Sequence, residues 1–164
     1  MWTLKPISVE AVPAALEKAH HYRLLNEPSQ AASICHDILA VDPANQQALI
    51  TLLLALSDQF GRVSQREMRD VAARLEGDYE RAYYGGIIAE RGARWTLRQG
   101  APGARFDAHD LFAEAMESYE RAESLRPAGN DDALLRWNTC ARYLNRHPEI
   151  VARPQDAFEP ILSE

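Results

Sequence analysis

The sequence predicts an all-α protein of about seven helices, arranged as three antiparallel hairpins and a C-terminal capping helix. Three observations predict this class. Apolar residues recur at helical intervals along most of the chain, and no useful stretch alternates as a strand does. Prolines and glycines (Pro13, Pro28, Pro43, Gly61, Gly77, Gly100, Pro127) punctuate that pattern at helix-length spacing. In the first third, Ala19, Tyr22, Ala31, Ile38, Leu39 and Pro43 fall where two packed helices of a hairpin of about 34 residues need small, aromatic and apolar side chains.

Each element follows from local signals. Residues 1–12 form an arm, and Pro13 opens a first helix to about Leu25, because proline suits the first turn. Asn26-Glu27-Pro28 is a tight connection in which Asn26 or Ser29 serves as cap. The second helix runs to about Ala40 and stops before Asp42-Pro43, since a residue preceding proline avoids the helical region. The third, to about Gln59, buries Leu49, Leu52, Leu53 and Leu56 as one stripe and leaves Ile50 and Leu54 outside it. Ser64-Gln65-Arg66-Glu67 is a capping box for a fourth helix ending at Gly77.

Asp78 caps a long fifth helix, Tyr79 to Gln99, despite Gly85, Gly86 and Gly92 inside it. Each interior glycine costs about 1 kcal/mol relative to alanine. Gly85, Ala89 and Gly92 are therefore read as a small-residue seam for a neighbouring helix, with a break at Gly85-Gly86 as the alternative. Gly100–Phe106 is a loop, and Asp107 with Asp110 opens a sixth helix to about Leu125. Asp131 leads a seventh to about Arg146, burying Trp137 and Tyr143. The remainder, 147–164, carries Pro148, Pro154 and Pro160 and is read as an extended or disordered tail, which leaves 1–146 as one domain.

Bulk composition narrows the function classes. The 164 residues are 46% hydrophobic and 26% charged, values of a folded domain. A net charge of −6 argues against nucleic-acid binding, which wants a basic surface. The first residues lack the apolar core of a signal peptide, and the run Leu52–Leu56 is too short to cross a membrane. Cys35 and Cys140 stand alone, without a disulfide framework, which fits a reducing cytoplasm. Sixteen arginines against two lysines read as the habit of a GC-rich genome.

The spacing of Ala19, Tyr22, Ala31 and Pro43 resembles the tetratricopeptide repeat family, as do Ala115, Tyr119 and Ala122 before Pro127. Cys35 and Ile38 are weaker matches, at positions where the family prefers an aromatic and an alanine. Pro43 and Pro127 lie 84 residues apart, about 16 more than two repeats of about 34 occupy. The excess is best placed in the fifth helix and the loop after it, and the middle repeat, from Gln46 to Gly77, lacks the proline. The resemblance spans roughly residues 12–146 and is specific only at the two ends. It implies a right-handed superhelix, resembling small bacterial members of the family, with a concave groove lined by alternate helices. Carried over, the groove residues are Leu16, His20, Arg23 and Leu24, then Ile50, Leu54, Ser57 and Asp58, then Leu134, Asn138 and Arg142.

The resemblance thus implies a cytoplasmic interaction adaptor that takes a peptide or amphipathic helix of a protein partner, with no nucleic-acid or membrane partner and no cofactor or metal. The competing reading covers Ile50 and Leu54 by the fifth helix or the tail. Recognition of a peptide's terminal carboxylate, as some family members practise it, is not implied, because only Asn138 matches that residue set. A structural subunit of a homo-oligomer using the same apolar surface is the alternative, and an enzyme with an internal-cavity site a weaker one.

Three clusters invite chemistry. Arg91, Arg94 and Arg98 share a stripe of the fifth helix and form a basic patch suited to carboxylates or phosphates, unless they are only a solvated face with Glu90 pairing Arg94. Glu17-x-x-His20-His21 superficially matches half of a di-metal motif but has no second half. Cys35 and His36 are adjacent in a helix, so their side chains diverge and form no dyad.

Overall fold

The computed structural model describes residues 1–154. Among these the chain is all-helical, with seven α-helices and no strand: α1 Val12–Leu24, α2 Pro28–Val41, α3 Gln46–Asp58, α4 Gln65–Ala72, α5 Asp78–Gln99, α6 Ala104–Leu125 and α7 Asp132–Arg146. A short 3-10 turn, Val9–Ala11, leads into α1. No helix among the described residues is long and apolar enough to cross a membrane.

Helix ends show where local signals prevail and where they yield. Asn26 adopts a left-handed conformation (φ 60°) and closes α1, with the Glu27 N–H donating to the Tyr22 carbonyl at 2.9 Å and the Asn26 N–H to that of Arg23 at 3.1 Å. It terminates α1 rather than capping α2, whose first turn has no side-chain cap. The Asn45 side chain accepts from the Ala48 N–H and caps α3, and Ser64 Oγ accepts from the Glu67 N–H as a capping box requires. Two expected starts move. Gly77, not Asp78, precedes α5, and α6 begins at Ala104 rather than Asp107, because Gly103 at φ 83° ends the loop three residues earlier. The α4 helix itself stops at Ala72, short of Gly77, and irregular chain fills the gap.

Helix α5 runs unbroken through all three glycines. Gly86 carries the close approach: a Cβ there would sit 2.6 Å from Tyr119 Cε1 on α6. Gly85 faces open space, so Gly86 takes its place in a seam with Ala82, Ala89 and Ala93, while Ala89 and Gly92 are buried as expected and a Cβ at Gly92 would lie 3.1 Å from Phe60 and 3.6 Å from Leu111 of α6. The small side chains of this seam let α5 and α6 pack along most of their length.

Each helix packs on the next, and α1 with α3 and α3 with α5 also touch, so α1, α3 and α5 lie in one row. Two apolar clusters result. The first gathers α1–α4 around Ile38, Leu49, Leu52, Leu53 and Met68, all buried, with Ile88 of α5 joining it. The second gathers α5–α7 around Phe112, Tyr119, Ala133 and Cys140, with Leu54 of α3 packed against it. The leucine stripe of α3 is buried, and Ile50 and Leu54 are half-buried. Trp137 and Tyr143 pack against the second cluster. The chain stays packed past Arg146, since Ile150 is 6% exposed and His147 lies 4.4 Å from the Tyr143 ring. Past α7 the described chain carries no helix: it turns at 148–149, seats the apolar Ile150 in the second cluster and leaves 151–154 exposed. Residues 155–164 of that tail lie outside the described residues.

Candidate functional site

The row of α1, α3 and α5 brings the anticipated groove residues of the first two hairpins together. From α1, His20 Nε2 lies 2.8 Å from Thr51 Oγ1, and Arg23 Nε donates to Asp58 at 2.8 Å. Asp58, at the end of α3, also accepts from Arg91 of α5, whose guanidinium donates further to Ser57 Oγ and, at 3.2 Å, to the Leu54 carbonyl. One carboxylate thus ties three helices. Leu16, Ile50 and Leu54 are half-buried along the same elements.

A second carboxylate does the same between α5, α6 and α7. Glu90 is 2% exposed, accepts from Tyr119 Oη at 2.9 Å and from Arg94 at 3.2 Å, and forms an ion pair with Arg136 at 3.1 Å. A buried carboxylate is costly unless paired and hydrogen-bonded, and this one is both. Burial and the facing Glu90 push the Tyr119 phenol well above its usual range, so it remains a donor. Burial alone would lower Arg136, but Glu90 and Tyr119 hold it above its ordinary value. Burial lowers Arg91, with Asp58 opposing and the Arg23 and Arg136 charges reinforcing the shift.

Helical geometry places Arg91, Arg94 and Arg98 within about 60° of one another on α5. Together with Ser57, Asp58 and Phe60 they line a cavity of about 310 Å³. Arg91 and Arg94 are partly buried in this cleft, with side chains 24% and 30% exposed, and Arg98 is solvated at its rim. Arg94 is held further by the Tyr143 ring, 4.5 Å from its guanidinium carbon. Arg98, exposed in the last turn of α5, makes no ion pair among the described residues.

Two anticipated members stand apart. Asn138 lies two residues from Arg136, about 200° around α7, and neither it nor exposed Arg142 hydrogen-bonds to α1, α3 or α5 among the described residues. Arg136 and Tyr143 are the α7 side chains that reach α5. The Glu90–Arg94 pair was readable from its four-residue spacing. Tyr119 and Arg136 had no such local signal, and the carboxylate's burial was hidden with them. Among the described residues no group of three or more His, Cys, Asp or Glu side chains is placed to hold a metal ion. Cys35 and Cys140 are free thiols, buried, and burial pushes both up to about 12.

No family model matches the chain, and no curated protein or solved structure does either.

Proposed function

We propose that this protein is a cytoplasmic interaction adaptor, tetratricopeptide-like in architecture, that holds a peptide or helix of a partner protein along the face of α1, α3, α5 and α7. The observation that carries this reading is the row of side chains shared across those helices. Arg23, Asp58 and Arg91 fix three helices edge to edge, and the face they hold opens onto the cleft between α3 and α5. Half-buried Leu16, Ile50 and Leu54 supply apolar surface beside the charges. A rigid, mixed surface of this kind suits an extended or helical ligand.

Site-specific photocrosslinking in the source cells tests it. A benzophenone side chain at His20 or Arg98 is expected to yield a discrete cross-linked partner, and one at Asp70 or Glu117, both exposed on the even-numbered helices, is not. Adducts from the even-numbered helices alone, or none at all, would overturn the reading.

Self-association is the second reading, favoured by exposed apolar side chains near the amino-terminal end. Trp2 is 98%, Leu4 85% and Leu24 85% exposed. A cross-linked product of twice the chain mass is its signature.

A further inference from the structure

We infer that the partner segment is acidic, and that its carboxylates seat on Arg98 and Arg94 at the α5 end of the face. The inference rests on the adaptor reading above and adds the chemistry of the ligand. Two carboxylates, the partly exposed Asp58 and the buried Glu90, are each shared by two arginines. With Arg98 included, five guanidiniums meet two carboxylates, an excess of three positive charges in a chain whose net charge is −6. The surplus is concentrated rather than scattered. Arg91 is committed to three acceptors, Arg94 is steadied by Glu90 and the Tyr143 ring, and Arg98 has no counter-ion among the described residues. A cleft with donors held in place and charge uncompensated recruits an anion at low ordering cost.

The same features favour a peptide over a nucleic acid. Asp58 stands in the cavity wall and opposes a densely charged phosphate backbone, and the negative net charge repels a long polyanion. Phe60 lines the cavity as well and gives an aliphatic or aromatic neighbour of the acidic residue a place to pack.

Selection of a random displayed dodecapeptide library on the full chain tests this. The expected result is enrichment of Asp- and Glu-rich sequences. Their affinity, read by fluorescence anisotropy, should fall by roughly tenfold or more in Arg98→Glu, less in Arg98→Gln, and with added salt. Arg98 is exposed at a helix end, so both variants are expected to keep wild-type circular dichroism. Binders without acidic bias, or acidic binders indifferent to Arg98→Glu, overturn the acidic assignment and leave the adaptor reading standing. A library that yields no binder overturns both. An oligothymidylate that binds more tightly than any selected peptide, and loses that binding in Arg98→Glu, overturns the assignment in favour of nucleic acid.

Discussion

Gly85 and Gly86 are chemically identical neighbours with opposite roles, because they point to different places on α5. Gly86 faces Tyr119, which is fully buried and whose hydroxyl is held by Glu90, so the ring has nowhere to move when a methyl arrives 2.6 Å from Cε1. Overpacking of this kind costs about 1–3 kcal/mol, against a helix-propensity gain of about 1 kcal/mol. Gly86→Ala is therefore expected to destabilise by up to about 2 kcal/mol. Gly85→Ala meets nothing within 4 Å and keeps the propensity gain. Thermal melts of the two variants are expected to move in opposite directions, with Gly85→Ala raising Tm by about 2–4 °C. Both residues read as part of one glycine-rich stretch in the sequence. Helical phase separates them by about 100°, but only the position of Tyr119, far along the chain, says which of the two is the contact.

At the scale of the element, α5 gains its place from Glu90 as much as from its apolar seam. The carboxylate anchors α6 through Tyr119 and α7 through Arg136, and Arg94 completes its shell. Glu90→Gln keeps a side chain of the same size but removes the charge facing two guanidiniums. Because Arg94 and Arg136 remain about a third exposed, the loss falls below that of a fully buried pair, at about 2 kcal/mol. Tyr119→Phe is expected to cost about 1 kcal/mol, and the double variant less than the sum, since both act on one network. Urea titrations of the four proteins measure this, and strict additivity would show that the network is not a unit. The helices themselves were legible in the sequence, because proline, glycine and apolar period are local signals. Their mutual register was not. Carrying the groove frame forward from Pro127 selected Asn138, whereas the fold turns Arg136 toward α5. Likewise Arg23 and Asp58, 35 residues apart, were each placed on the face without any local indication that they bond.

Across the whole molecule, the two apolar clusters raise the question of whether they unfold together. Helix α5 belongs to both: Ile88 sits in the first cluster, while Ala82, Ala89 and Ala93 sit in the second, and Leu54 of α3 reaches back to the second. Opening either cluster therefore strips apolar surface from the other, and one cooperative transition is expected. The chain carries its own probe for this. Cys35 lies in the first cluster and Cys140 in the second, both 0% exposed. Burial raises each thiol from 9.0 to about 12, so neither is a thiolate in the native state near neutral pH, and each is alkylated only when its cluster opens. Coupled clusters predict opening free energies for the two cysteines that agree within about 1 kcal/mol under native conditions. Faster alkylation of one, at a rate independent of the other, would show that the clusters open separately. The same shifts fix the sign of an alkaline effect. The unfolded chain loses thiol protons near pH 9 while the native one keeps them to about 12. The stabilising contribution is thus complete below pH 9 and declines as pH rises through that window, by about 1.4 kcal/mol per unit for each thiol. Replacing Cys35 and Cys140 together by alanine should flatten this part of the alkaline decline, even though the cavities left behind lower stability at neutral pH.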